Sequence, residues 1–243
     1  MSTTTLPAPA VRAAPGFWAR ARRHPGFVIG GVLTLLLLLA AALSYLWTPH
    51  SAYEVRMDDK LLPPGASHWL GTDAFGRDVV SLLLVGARAS ILVGVIAVGI
   101  GLVVGTALGL LASAKRGWVE EAIMRVADFG FAFPAILSAI MLTAVYGPGI
   151  VNAIVAIGIY NIPAFARITR AAANAVWGRD YVLAARACGK GPWAITFEHI
   201  LPNILAVLIV QATIRFAVAI LAEAALSYLG LGTQPPQPSW GRM

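Results

Sequence analysis

The stretch Asp180-Tyr-Val-Leu-Ala-Ala-Arg-Ala-Cys-Gly189, continued by Glu198-His-Ile-Leu-Pro-Asn203, decides how this chain is read. It is a polar, alanine- and arginine-bearing segment set between apolar runs at 150–166 and 200–229, so it reads as a surface projecting from a hydrophobic body. Residues 171–187 have helical composition interrupted near Gly178, Gly189 to Pro192 reads as a turn, and 193–199 as a second short helix. The whole loop, about 167–199, is too long for a plain connection in a compact bundle. Small side chains at Ala184, Ala185 and Ala187 leave a smooth face, and Gly189 permits the positive φ that closes such a turn. These features alone leave a docking loop and an inert loop equally open.

Composition names the solvent. Of 243 residues, 58% are hydrophobic and 12% charged, against roughly a quarter charged in a soluble domain. The charges fall in short blocks between apolar runs, which makes the fold an all-α polytopic membrane protein. The net charge of +7 sits beside apolar segments, where it orients the chain in a bilayer rather than binding nucleic acid. Cys188 is the one cysteine; it excludes an intrachain disulfide and a multi-thiolate metal site, and reads as a small apolar packing residue.

Residues 27–47 are uncharged, and about 21 residues at 1.5 Å each match the roughly 30 Å hydrocarbon core. Further apolar segments at 89–114, 129–146, 150–166 and 200–229 make five predicted transmembrane helices. Arg12, Arg20, Arg22 and Arg23 precede the first span and place the N-terminus in the cytoplasm. Alternation then places Lys115, Arg116, Arg167, Arg170, Arg179, Arg186 and Lys190 inside too. Residues 48–80 fall outside, with Glu54, Asp58, Asp59, Asp73 and Asp78 outnumbering Arg56, Lys60 and Arg77.

Gly101, Gly105 and Gly109 recur every four residues on one helix face and allow close backbone approach, to this chain or to a partner. Pro134 and Pro163 are expected to kink or break the third and fourth segments. In the last span, Gln211 and Arg215 share a face and Glu223 stands about 80° round from Arg215. They line a polar path or pair with a neighbouring helix. His50 and His68, 18 residues apart without a fixed spacing motif, do not by themselves specify a metal site. No Gly-x-x-x-x-Gly-Lys-Ser/Thr cradle is present, since Gly189-Lys190-Gly191 lacks the spacing and the hydroxyl residue, so this chain is not read as an ATPase. A membrane enzyme would need more convergent groups than Arg215 and Glu223; a passive channel would need no docking loop.

The spacing Ala184-Ala185, three residues, Gly189, then Leu201-Pro202 resembles the EAA loop of ABC-transporter permeases. His68-Trp-Leu-Gly-Thr-Asp-Ala-Phe-Gly-Arg-Asp78, Gly86-Ala-Arg-Ala-Ser90, Ala132-Phe-Pro134, His199-Ile-Leu-Pro-Asn203, Leu221-Ala-Glu-Ala-Ala-Leu-Ser-Tyr-Leu-Gly-Leu-Gly232 and Pro235-Pro-Gln-Pro-Ser-Trp-Gly241 resemble the second permease subunit of dipeptide, oligopeptide and nickel importers. The resemblance runs from about Phe17 onward. It implies a cytoplasmic segment at 1–25 and a permease transmembrane domain at 26–243, in a multi-pass protein of a bacterial plasma membrane.

It further implies a homologous partner permease, two ATPase subunits carrying ATP and Mg, and an extracytoplasmic binding protein, with no cofactor or metal on this chain. The ATPase-coupling residues are then Ala184, Ala185, Arg186, Gly189, His199, Leu201 and Pro202. Gln211, Arg215 and Glu223 are candidates for the translocation path. His68, Trp69, Asp73, Arg77 and Asp78 are candidates for binding-protein contact, or else members of a folded connector. Dipeptides or oligopeptides are the first expectation for substrate; nickel, glutathione or another peptide-like solute is the alternative. Two departures stand out: the EAA glutamate falls on Leu183, and the family continues by one more span past Ser239-Trp-Gly241, whereas this sequence stops at Met243.

Overall fold

The computed structural model describes residues 21–234 and 236–243. The positions of Arg12 and Arg20, most of the expected 1–25 segment, and Pro235 of the C-terminal block lie outside the described residues. Among the described residues the chain is helical and has no strands, apart from one isolated bridge between Thr72 and Asp78. Four helices are long and apolar enough to cross a membrane, five if one bent pair counts as a single span.

Helix α1, Pro25–Leu46, starts with proline at its first turn, where the missing N–H costs nothing. Leu33, Leu35, Leu36 and Leu39 are all more than half exposed. A helix apolar on every side and so little covered suits lipid, which solvates leucine, while the helix pairs its own backbone groups internally. It is tethered to helix α2, Val79–Lys115, where Arg88 Nε donates to Ser44 Oγ at 2.6 Å and the guanidinium lies 3.8 Å from the Tyr45 ring centroid.

Helix α2 begins ten residues before the expected span. Asp78 is its N-cap, its carboxylate accepting from Ser81 N at 2.8 Å, which fixes the start before the apolar run opens. At 37 residues it is about 55 Å long and overreaches a roughly 30 Å hydrocarbon layer.

The third expected span, 129–146, is not one straight helix. Helix α3, Gly117–Ala132, and helix α4, Ala135–Tyr146, meet at Phe133-Pro134 with a bend of 85°. Pro134 disfavours helix at Phe133, which is extended (φ −99, ψ 131). Helix α5, Ile150–Trp177, by contrast runs unbroken through Pro163. Its continuation past 166 corrects the loop boundary expected at Arg167. Arg167 and Arg170 stay helical because α3 answers their charge: Arg167 pairs with Asp128, and Arg170 with Glu120. Pro163 lies under Gly130, where a Cβ would stand 2.8 Å from Pro163 Cγ.

The centre of the bundle is α2 against α5. A Cβ on Gly101 would stand 2.4 Å from Asn161 Cβ, on Gly105 2.5 Å from Ile162 O, and on Gly109 2.6 Å from Ala166 O. The glycine row therefore serves packing inside this chain. Phe165, Val93 and Ala97 are fully buried there. Helix α8, Leu201–Tyr228, crosses both, close to the expected 200–229 span. Phe216 meets Gly94 at its crossing with α2, and the last residues fold back so that Trp240 Nε1 donates to Leu83 O at 3.1 Å and Gly241 abuts Ala224. Beyond the Phe216 crossing, α2 and α8 diverge around an apolar groove of about 960 Å³ lined by Val98, Leu102, Leu205 and Phe216 among others.

Candidate functional site

After α5, Gly178 interrupts the helix and Arg179 leads into helix α6, Asp180–Ala187. The expected break is therefore present, but 171–177 belong to α5. Helix α6 ends in two bonds that define a Schellman cap: Lys190 N donates to Ala185 O at 3.1 Å and Gly189 N to Arg186 O at 2.9 Å. Gly189 has φ +82, a region costly for any residue with a Cβ. Helix α7, Pro192–Ile195, then runs through a π-turn at Thr196–Ile200 into α8. The extra residue of this turn re-aims the chain at the point where His199 precedes Leu201-Pro202.

Two residues hold α6 against the bundle. Val182 is fully buried and Ala185 nearly so, so Ala185 turns inward rather than contributing to an open face. Arg186 lies over the ring of buried Trp177 at 4.8 Å, and Trp177 Nε1 donates to Ser113 Oγ at 3.4 Å. What remains outward is Tyr181, Leu183, Ala184, Ala187 and Gly189, followed by Trp193 stacked with Phe197 at 6.4 Å. Leu183 is half exposed where the EAA motif would present glutamate. Cys188, expected as a packing residue, is exposed at the cap. His199 is half-buried beside Tyr181, Leu201 is half-buried and Pro202 exposed. Lys190 and Glu198 form an ion pair across the turn. The surface is thus small-residue and aromatic, and its opposite face is buried through Val182 and Ala185.

The second set of expected residues, 68–78, is a self-supporting loop. Asp73 accepts from Phe75 N at 2.8 Å and Arg77 N at 2.9 Å, and pairs with the Arg77 guanidinium at 2.7 Å. Burial pushes its carboxyl up, but these donors outweigh that and hold it below the ordinary value. Gly76 has φ +70, and a Cβ there would collide with Arg56 O. Thr72 Oγ1 accepts from Leu62 N at 2.8 Å and donates to Asp59 O. Trp69 is exposed and packs near Trp47, with centroids 6.4 Å apart.

The loop also brings together residues that spacing left apart. His68 Nδ1 is 3.0 Å from Asp78 Oδ1, His50 Nδ1 is 3.7 Å from the same oxygen, and the two rings lie 4.4 Å apart. Asp78 is buried; burial raises its carboxyl, and the Ser81 amide, His68, the Ser81 hydroxyl and the charge of His50 more than reverse this. Sequence order gave no signal for this meeting, because His50 arrives through an irregular segment whose path no periodicity reports.

Of the intramembrane polar residues, Glu223 is fully buried and its Oε1 accepts from Ser227 Oγ at 2.6 Å and Thr233 Oγ1 at 3.2 Å. Gln211 and Arg215 are half-buried. None of the three lines the groove between α2 and α8. Ser227 and Thr233 are the residues sequence reasoning missed; the helical i, i+4 spacing of Glu223 and Ser227 was the available signal.

Comparison with known proteins agrees with this architecture. Residues 101–243 match the family model of the binding-protein-dependent transport system inner membrane component, and residues 16–64 that of the N-terminal TM domain of oligopeptide transport permease C. The chain is 41% identical over 228 residues to the glutathione transport system permease protein GsiD of Pectobacterium atrosepticum, covering 93% of this chain and 76% of the relative. It is 43% identical over 216 residues to the dipeptide transport system permease protein DppC of Alkalihalophilus pseudofirmus, covering 89% and 71%. It is 44% identical over 234 residues to the di/tripeptide transport system permease protein DppC of Pseudomonas aeruginosa, covering 93% and 77%. Among solved structures, an inward-facing conformation of the MetNI methionine ABC transporter shares the fold, with a TM-score of 0.57 and 22% identity over 63% of this chain and 76% of that one. A membrane body of apolar helices, a matched region that takes in the second half of α2 with all of α5 and α8, and relatives at more than 40% identity lead to one assignment: the chain belongs to the binding-protein-dependent transport system inner membrane component family of ABC permeases.

Proposed function

We propose that this chain is the permease subunit of an ATP-driven importer of short peptides, and that the outward surface of α6, its capping turn and α7 is where an ATP-hydrolysing subunit docks. The observation that carries the docking part is the combination of a buried foot, Val182 and Ala185, with an exposed small-residue face ending at Gly189. A partner groove that seats against Ala184 and Ala187 pushes on a helix whose other face is buried at Val182 and Ala185. Coupling then needs only that the nucleotide-bound ATPase pair favour one of two helix arrangements. The ATP and its Mg reside on those subunits, a homologous permease completes the membrane pathway, and a binding protein delivers substrate at the 68–78 loop. In this arrangement the N-terminus and the α6–α7 surface share the cytoplasmic side of a bacterial plasma membrane.

The relatives' names divide between dipeptides and glutathione, itself a tripeptide, so a peptide backbone with free termini is the common substrate chemistry. Nickel transport is the more distant alternative.

The test is affinity purification of the chain co-expressed with its partner permease and ATPases. Native chain should recover ATPase. Gly189→Arg and Ala184→Arg should insert in the membrane but recover none; Ala184→Arg adds bulk on the face without straining the backbone. Recovery by both variants would refute the docking surface. Uptake of labelled dipeptide with and without competing glutathione then assigns the substrate.

A further inference from the structure

The cluster of His50, His68 and Asp78 is not used by the docking reading, and its chemistry is specific. Three segments meet there: the chain leaving α1, the loop, and the N-cap of α2. One ligand atom from each residue lies within 4.8 Å of the others. The two distances to Asp78 Oδ1, 3.0 and 3.7 Å, bracket the edge of about 3.4 Å that a tetrahedral ion with ligands at about 2.0–2.1 Å would set. His50 Nδ1 is buried with no hydrogen-bond partner, and 3.7 Å is too long for one to Asp78. A cavity of about 10 Å³, bounded by these three side chains together with Glu54 and Arg56, adjoins them. That is room for a single small sphere.

We propose that His50, His68 and Asp78 form a binding site for one divalent transition-metal ion of the Zn²⁺ class. Two imidazole nitrogens and one carboxylate oxygen are a borderline donor set, suited to zinc, nickel, cobalt or copper and poorly suited to magnesium or calcium. The ion supplies the partner that His50 Nδ1 lacks and replaces a proton between His68 and Asp78. Glu54 lines the same cavity, and its carboxylate is held by Arg56 at 3.1 and 3.2 Å. The second Asp78 oxygen stays on Ser81 as the helix cap, so coordination and capping use different atoms. The bound ion fastens the chain leaving α1 to the first turn of α2. The proposal stands independently of the transport reading.

The test uses the full chain in detergent, purified through a tag without histidine, stripped with EDTA and dialysed against ZnCl₂ or CoCl₂, with bound metal counted by mass spectrometry. One equivalent of Zn²⁺ per chain is expected, with visible d–d absorption of low-coordinate Co²⁺ and a rise in Tm. His50→Ala keeps the bond from His50 N to Ser81 Oγ, 3.0 Å, and so spares the fold. Losing even an outer-shell partner weakens metal binding by about 10–100-fold, and losing this direct ligand should weaken Zn²⁺ binding at least ~10-fold. His68→Ala should do the same, and His24→Ala should change nothing. Absence of saturable uptake, equal uptake by His50→Ala, or loss of uptake in His24→Ala would each overturn the site.

Discussion

Gly109 of α2 rests on Thr169 of α5 so closely that a Cβ on the glycine would lie 2.6 Å from Thr169 Cβ. A methyl group cannot be accommodated without parting the two helices, because the other two near atoms, Ala166 O and Arg170 N, belong to the α5 backbone. Gly109→Ala should therefore lower stability by about 1–3 kcal/mol. Gly99, on the same helix, has open space where its Cβ would point, with nothing within 4 Å, and it is the control: Gly99→Ala should be neutral or stabilise by up to about 1 kcal/mol. Thermal unfolding of both variants in detergent reads the difference.

Ser227 bridges a buried acid and the chain beyond α8. Its hydroxyl donates to Glu223 at 2.6 Å and accepts from Thr233 N at 3.0 Å. Ser227→Ala leaves that buried N–H without its acceptor and should cost about 1–3 kcal/mol. Thr233→Val, which removes the longer bond to Glu223, should cost less. A ranking with Thr233→Val the more damaging would contradict the network as described.

Acid should loosen the 68–78 loop. The Asp73 carboxyl is held below its ordinary value of 3.8, so its stabilising contribution is complete above the unfolded value and disappears as pH falls through the lower folded one. The loss begins as pH falls to about 3.8 and continues below it. Proteolytic cleavage between Asp59 and Asp78, followed against pH, should rise in that window. In Asp73→Asn cleavage should be high already at pH 7, with a flatter acid dependence.

The capping turn at Gly189 should respond to backbone conformation rather than to side-chain size. At φ +82, alanine costs about 1–2 kcal/mol, and asparagine, which enters this region more readily, costs less. Hydrogen exchange at the Gly189 and Lys190 amides, bonded to Arg186 O and Ala185 O, should accelerate in Gly189→Ala and be partly restored in Gly189→Asn.

Periodicity and length were sufficient for α1 and α8, whose apolar runs end where the helices end. They were insufficient wherever charge is carried inside a helix. Arg167 and Arg170 read as loop, yet Asp128 and Glu120 on α3 neutralise them and let α5 run on to Trp177. Hydropathy also missed the first ten residues of α2, which Asp78 caps. In the site, Gly189 was legible because a turn after an alanine-rich helix calls for positive φ. The inward turn of Ala185 was not, since Ala184, Ala185 and Ala187 are chemically alike and only the packing of Val182 distinguishes their faces. His50 and His68 were visible as residues, but their meeting over Asp78 depends on tertiary contacts that local spacing does not encode.

Phe216 seats on Gly94 where α8 crosses α2, and at the other end of the same run Ile195, Ile200 and Ile204 are buried in the core that also holds Val98 and Phe165. The run from Trp193 to Phe216 is thus a strut seated at both ends rather than a free arm. It is 23 residues, or about 35 Å at 1.5 Å per residue. A push on the aromatic tip is consequently passed along the strut to the Phe216 crossing instead of being absorbed near Trp193.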